Sequence, residues 1–169
     1  MQQQVPLAGP PVEGAPAVVR GPDISGLSPA ESADRLYNRV MLLASQGKTD
    51  SVLFFAPMAI EAYRMMSPLD ADQRYDIGRI AEVAGALPLA KAQADTILAR
   101  NPTHLLGLVL AARVAAVAND AAGKKLYASR ILAVTEAESA KKLPEYERHA
   151  DDIASAVADA RRSAGTGGN

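Results

Sequence analysis

Apolar residues recur at intervals of three or four positions over most of the chain, which is the spacing of an amphipathic helix. The pattern is clear near the C-terminus, where Ala150, Ile153 and Val157 would share one helical face. No window alternates apolar and polar residues with the period of two that a half-buried strand requires. The pattern therefore predicts an all-α protein with essentially no sheet.

Capping residues indicate where the helices begin and end. Ser28 precedes Pro29 and Glu31, which combines an N-cap hydroxyl, a proline in the first helical turn and a glutamate at the third position. Gly47 and Gly85 each follow a helical stretch and suit a turn. Together these signals predict seven helices, over residues 29–46, 50–66, 70–84, 87–100, 103–118, 121–139 and 144–162.

The two ends of the chain differ in composition from its centre. Residues 1–29 hold six of the 11 prolines, together with four glycines, and they lack helical periodicity. Such a segment favours extended backbone and has too little apolar surface to fold alone. The sequence thus predicts an extended Pro/Gly-rich arm over 1–28, a helical domain over 29–162 and a flexible tail over 163–169.

Charge and composition exclude several classes of function. The chain has 18 Lys and Arg against 19 Asp and Glu, so it lacks the basic excess of a dedicated nucleic-acid binder. It contains no cysteine, which excludes disulfides, thiolate metal sites and cysteine nucleophiles. No glycine-rich phosphate loop, HExxH motif or nucleophile elbow is present. We therefore expect no enzymatic activity and no cofactor.

The sequence predicts no membrane span and no signal peptide. The longest apolar stretch, 105–118, is interrupted by Arg113 and is shorter than the roughly 20 residues that a spanning helix needs, so it is interpreted as a buried central helix. The N-terminus lacks a basic region followed by an apolar one. This indicates a cytoplasmic protein, whereas a leader removed before residue 1 would place it in the periplasm or at a membrane.

A repeat of about 34 residues carries a family resemblance. Its clearest unit spans 71–104, and the small or apolar residues that define it are Ile77, Gly78, Ala81, Gly85, Ala90, Ala94, Ile97, Leu98 and Pro102. Their spacing resembles the tetratricopeptide repeat (TPR) pattern, in which small residues lie where the two helices of a hairpin cross. The units 33–68 and 105–138 are similar but more degenerate.

The resemblance implies three TPR-like antiparallel hairpins in a short right-handed solenoid, followed by a C-terminal capping helix. An alternative is a plain helical bundle without repeats. TPR proteins are usually binding scaffolds, with a groove lined by the first helix of each hairpin. The matching positions, besides Asp34 and Asp72, are Tyr37, Met41, Tyr75, Arg79, Glu82, Val83, Leu106, Val109, Arg113 and Val117.

Two arginines are the most distinctive of these groove positions. Arg79 and Arg113 are 34 residues apart and would lie on neighbouring helices, where two guanidinium groups can hold a carboxylate or an acidic peptide. The alternative is that Arg113 pairs with an internal carboxylate such as Glu82. We slightly favour the internal pairing and retain the groove as a contact surface.

Other side chains have weaker claims to a role. Glu145, His149 and Asp152 would share a face of the last helix, but a solvated face explains them better than a metal site does. His104 is interpreted as a surface residue. Phe54 and Phe55 are adjacent, so one is expected in the core and the other exposed, the alternative being that both are buried. For Tyr63, Met65 and Met66 nearby, core packing is expected.

The sequence favours a non-enzymatic TPR-like scaffold that binds other proteins through its groove and its 1–28 arm. It would serve as an accessory subunit that stabilises a larger assembly, for instance at the periphery of a bacterial respiratory or photosynthetic membrane complex. The alternatives are a small-ligand-binding or enzymatic helical domain that uses Arg79 and Arg113, and a fragment of a longer multidomain protein.

Overall fold

A computed structural model of the chain describes residues 25–165, and these residues form eight α-helices and no strand. The helices are α1 (Pro29–Ser45), α2 (Thr49–Arg64), α3 (Ala71–Val83), α4 (Leu87–Arg100), α5 (Leu105–Val117), α6 (Ala121–Ser139), α7 (Pro144–Arg148) and α8 (Ala150–Gly165). The prediction of an all-α protein is confirmed. Most of the 1–28 arm and the last four residues of the tail lie outside the described part.

The last predicted helix, 144–162, is two helices in the structure. His149 lies between them with φ −110° and ψ 28°, which interrupts the helical backbone after Arg148. α8 then continues to Gly165, three residues beyond the predicted end. The sequence pattern did not reveal this break because the apolar stripe continues across it.

Local hydrogen bonds explain where several helices start and where turns fall. The Ser28 hydroxyl accepts a hydrogen bond from the Glu31 N–H, while the Glu31 carboxylate accepts one from the Ser28 N–H, so a complete capping box starts α1. Gly47 and Gly85 have φ of 68° and 76°, values in the left-handed region that glycine adopts without strain. The predicted start signal and both turns are confirmed.

The helices pack as successive hairpins. α1 packs on α2, α3 on α4 and α5 on α6, and each pair contacts the next through α2 with α3 and α4 with α5. α8 closes the end by packing on α6 and α5. Among the described helices, none is both long enough and apolar enough to span a membrane.

α5 forms the centre of the core. Every residue from Leu105 to Ala111 is buried, as are Val114 and Ala115. The interpretation of this apolar stretch as a central helix is therefore correct. A second cluster of buried residues joins α1, α2 and α3 around Phe55 and Tyr63.

Gly78 marks the closest approach between α3 and a neighbouring helix. A Cβ on this residue would lie 2.2 Å from Cδ2 of Leu110, which belongs to α5. The repeat pattern places this glycine between the two helices of one hairpin. In the structure the glycine instead brings together the first helices of two successive hairpins.

Candidate functional site

A continuous set of charged and hydroxyl side chains lies where α7 and the start of α8 pack against the first three hairpins. We refer to it as the polar seam. Its members are Asp34, Tyr37, Tyr63, Asp72, Tyr75, Asp76, Arg79, Glu82, Arg113, Arg148, His149 and Asp152.

Arg148, the last residue of α7, ties three carboxylates together. Its Nη2 lies 3.0 Å from Asp34 Oδ1 and 2.8 Å from Asp76 Oδ2, and its Nη1 donates to Asp72 Oδ2. Partial burial alone would lower the pKa of Arg148, but the charges of Asp76 and Asp72 outweigh it and raise the pKa. The guanidinium therefore stays charged and links α7 to α1 and α3.

Asp76 is the most deeply buried carboxylate of the seam, with no exposed surface. Its Oδ2 accepts hydrogen bonds from the Tyr63 hydroxyl at 2.7 Å and from Arg148. Its Oδ1 has no hydrogen-bond partner and lies 3.4 Å from Nε2 of His149. Burial raises the pKa of Asp76 to about 6, although the Tyr63 hydrogen bond and the Arg148 charge oppose this.

His149 is held in the seam by a carboxylate and two aromatic rings. Its Nε2 lies 2.8 Å from Asp72 Oδ1, and its ring meets those of Tyr75 and Tyr37 at centroid distances of 4.6 and 6.5 Å. Burial would raise the pKa of Asp72, but the contacts with His149 and Arg148 lower it. The ring thus bridges the α7–α8 break and α3.

The two arginines that the repeat places at equivalent positions share one carboxylate. Arg79 Nη1 and Arg113 Nε donate to Glu82 Oε2 at 2.7 and 2.8 Å. Arg79 Nε also donates to Asp152 Oδ2, which accepts from the Tyr75 hydroxyl as well. The expectation that Arg113 pairs internally with Glu82 is confirmed, and both guanidinium groups bind carboxylates of the chain itself.

The predicted groove residues fall into three groups. Tyr75, Arg79, Leu106 and Val109 are buried, because α7 and α8 pack over this side of α3 and α5. Tyr37, Met41, Glu82, Val83 and Arg113 are half-buried. Val117 is exposed.

Two surface pockets retain part of the predicted groove. One of about 390 Å³ is lined by Tyr37, Met41 and Arg79 together with α7 and α8 residues. Another of about 490 Å³ is lined by Glu82, Arg113 and Val117. The C-terminal helices thus occupy much of the wall that the resemblance assigns to a partner.

The three residues considered as a weak metal site on the last helix do not converge. Glu145 faces His104 at 3.4 Å, His149 turns to Asp72, and Asp152 binds Tyr75 and Arg79. The groups that do converge are Asp72, Asp76 and His149, whose ligand atoms all lie within 4.8 Å of one another. The i, i+4 spacing of the two aspartates was the available signal, but nothing in the sequence linked them to His149.

Glu138 forms a second polar cluster that sequence reasoning missed. It is 2% exposed and accepts hydrogen bonds from Lys141, Thr103 and the Tyr146 hydroxyl. Burial would raise the pKa of Glu138, but these three donors lower it. The Tyr146 oxygen also accepts from the Leu105 N–H at 3.1 Å, which satisfies a backbone group at the start of α5.

His104 belongs to the same region and is not a surface residue, so that interpretation is wrong. Only 5% of it is exposed, and its ring lies edge-on to Tyr146 at 5.1 Å. Burial lowers the pKa of His104, and hydrogen bonding to Glu145 opposes this effect. The apolar packing of Leu105 and Tyr146 carries the imidazole inward with them.

The outer face of α2 exposes three large apolar side chains. Phe54, Met58 and Met65 are 63%, 41% and 77% exposed, and their spacing of four and seven residues puts them on one helical face. We call them the apolar stripe. Phe55 is buried, so the prediction of one exposed and one core phenylalanine is confirmed. Core packing was the wrong expectation for Met65.

Comparison with known protein families, with curated proteins and with solved structures finds no match to this chain. A function is therefore inferred from the residues and their geometry.

Proposed function

We propose that this chain is a non-enzymatic, TPR-like scaffold that binds another protein as an accessory subunit of a larger assembly. Three features support the TPR-like part. Successive helices pack as hairpins joined by short turns, and Gly47 and Gly85 adopt the left-handed backbone that these turns need. Arg79 and Arg113, 34 residues apart, meet at the same Glu82 oxygen, as equivalent positions on adjacent repeats would.

The observation that carries the binding function is the apolar stripe on α2. Large apolar side chains in contact with water are unfavourable by about 25 cal/mol for each Å² that a partner would cover. The Phe54 ring is held edge-on to the buried Phe55 ring, with centroids 5.0 Å apart, so it is already ordered for contact. Met58 and Met65 add flexible, polarizable side chains that adapt to a partner surface.

The flanks of the stripe indicate the chemistry of the partner. Glu61 and Arg64, on the same side of α2, face each other at 3.9 Å, so the stripe has no strong net charge around it. The partner is accordingly an apolar helical face of another protein, and polar contacts lie at its rim.

The polar seam supports a role without chemistry. Arg79 and Arg113, the residues on which a ligand-binding or enzymatic alternative depends, are both bound to Glu82. An anionic ligand would have to compete with a carboxylate that is already in place and largely desolvated.

Site-specific photocrosslinking in the native host tests this proposal. A photoreactive residue in place of Phe54 should give one adduct of defined mass with another protein. The control places it at Leu126, which is equally apolar and 53% exposed but lies on α6, away from the stripe. The identified partner, once purified, should bind the double variant M58Q/M65Q at least about tenfold more weakly than wild type.

Two results would contradict the proposal. One is a folded protein that gives no adduct from position 54, or the same adducts from positions 54 and 126. The other is an adduct formed only with a second copy of this chain, which would make the stripe a self-association surface.

A further inference from the structure

We propose that Asp72, Asp76 and His149 bind one divalent first-row metal ion, with Zn²⁺ as the reference case, through Asp72 Oδ1, Asp76 Oδ1 and His149 Nε2. The site is independent of the partner-binding surface, since it lies inside the polar seam and not on the outer face of α2. Its donors come from two positions one turn apart on α3 and from the α7–α8 break.

The distances between the donor atoms suit a common metal ion. His149 Nε2 lies 2.8 Å from Asp72 Oδ1 and 3.4 Å from Asp76 Oδ1. With metal–ligand bonds of about 2.1 Å, these separations correspond to ligand–metal–ligand angles of about 85° and about 110°. Such angles fall within the range of octahedral and tetrahedral coordination.

An unsatisfied oxygen is the second observation that points to a ligand. Asp76 is fully buried, and its Oδ1 has no hydrogen-bond partner. A proton on His149 Nε2 would serve Asp72 Oδ1 at 2.8 Å and leave Asp76 Oδ1 unpaired, which is costly for a buried carboxylate. A metal ion bonded to all three atoms satisfies both aspartates at once.

The surroundings orient the donors toward this position. Arg148 binds Oδ2 of Asp72 and of Asp76, and Tyr63 donates to Oδ2 of Asp76, so in each aspartate the Oδ1 atom is left for His149 and the metal. The groups that face the site also leave it negative. Asp34, Asp72 and Asp76 stand against the single guanidinium of Arg148, and a divalent cation offsets the excess.

The site is reachable from solvent. Arg148 and His149 form part of the wall of the 390 Å³ pocket, whose other lining groups include the carboxylates of Asp34, Asp151 and Asp152. These acidic groups attract a cation, and water from the pocket can complete its coordination. Two carboxylates and one imidazole match Zn²⁺, Mn²⁺ or Co²⁺ better than the all-oxygen preference of Ca²⁺. The ion would join α3 to the α7–α8 break.

Metal titration of the full chain, freed of metal with a chelator, tests the proposal. We expect one equivalent of Zn²⁺ to bind, and Co²⁺ to give a visible absorption band from a protein ligand field. His149→Gln and Asp76→Asn should each weaken Zn²⁺ binding at least about tenfold. The control is His104→Gln, which removes the other histidine and should leave affinity and stoichiometry unchanged.

Histidine-ring NMR of the wild-type protein keeps the test independent of variant folding. Zn²⁺ should shift the ¹⁵N signals of the His149 ring and leave those of His104 in place. Unchanged His149 signals in excess Zn²⁺ would overturn the proposal and leave a histidine–aspartate hydrogen bond as the whole content of the site. Equal Zn²⁺ affinity in wild type, His149→Gln and Asp76→Asn would overturn it as well, since the ion would then bind elsewhere.

Discussion

Gly78 lies directly against Leu110, and a Cβ at position 78 would be only 2.2 Å from Leu110 Cδ2. Leu110 is fully buried, so its side chain has little space into which to move. The distance between α3 and α5, and with it the stacking of the second hairpin on the third, therefore depends on the absence of a side chain at one position.

Gly78→Ala should destabilise the protein by about 1–3 kcal/mol, because the added methyl group forces Leu110 or the helices to shift. Chemical denaturation of both forms measures the change. The control is Gly165→Ala at the end of α8, where a Cβ meets nothing within 4 Å and the expected change is within about 0.5 kcal/mol.

A double-mutant cycle identifies the contact itself. Leu110→Ala alone should cost about 2–5 kcal/mol by creating a cavity. In the double variant the new methyl group at position 78 fills part of that cavity, so the combined loss should be smaller than the sum. Strict additivity would show that the two positions do not interact as the structure places them.

Glu82→Gln should weaken the link between α3 and α5. Glu82 is 8% exposed and holds both Arg79 and Arg113, so neutralising it leaves two guanidinium groups short of a counter-charge, one of them mostly buried. We expect a loss of about 1–3 kcal/mol in the free energy of unfolding. Glu61→Gln is the matched control, since its pair with Arg64 is exposed and worth at most about 0.5 kcal/mol. Equal effects in the two variants would contradict the role given to Glu82.

Tyr146→Phe removes one hydroxyl that serves two groups. It would leave the buried Leu105 N–H without its acceptor and Glu138 without one of its donors. The expected loss is about 1–3 kcal/mol, and amide hydrogen exchange at Leu105 should accelerate. Tyr127→Phe is the comparison, because the Tyr127 hydroxyl has no hydrogen bond within residues 25–165. Unchanged protection at Leu105 would argue against the bond.

His104 gives the protein a pH dependence of defined sign. Burial lowers its pKa in the folded state, so folding favours the neutral imidazole. The resulting stabilisation is complete above the unfolded-state pKa of about 6.5 and is lost as the pH falls through the folded-state pKa. Wild type should therefore lose more stability than His104→Gln between pH 7.5 and pH 5, as measured by thermal or urea unfolding. Parallel pH profiles for the two proteins would be incompatible with this shift.

The sequence predicted those features that depend on neighbouring residues. The capping box of Ser28 and Glu31 joins groups three positions apart, and the turn at Gly85 requires only that one residue adopt a positive φ. The burial of α5 followed from a run of apolar residues too long for any exposed face. Each of these interactions is complete within one or two helical turns, so the order of residues is enough to recognise it.

The candidate sites could be predicted only in part, because their partners are remote along the chain. Arg79 and Glu82 are three residues apart, and the pairing of Arg113 with Glu82 was foreseen because the repeat brings equivalent positions together. Asp76 was not identified as a site residue, since nothing near it in sequence shows that it is buried.

The amino-acid order by itself determined that the chain is helical, where most helices start and turn, and which stretch forms the centre of the core. Only the tertiary structure decided that α7 and α8 cover α3 and α5 and that the backbone breaks at His149. It also decided that Asp72, Asp76 and His149 meet, with 77 residues between the first and the last of them. The physical reason is that capping, turn formation and helical periodicity act over a few residues. The pairing of buried charges depends instead on which helices pack together.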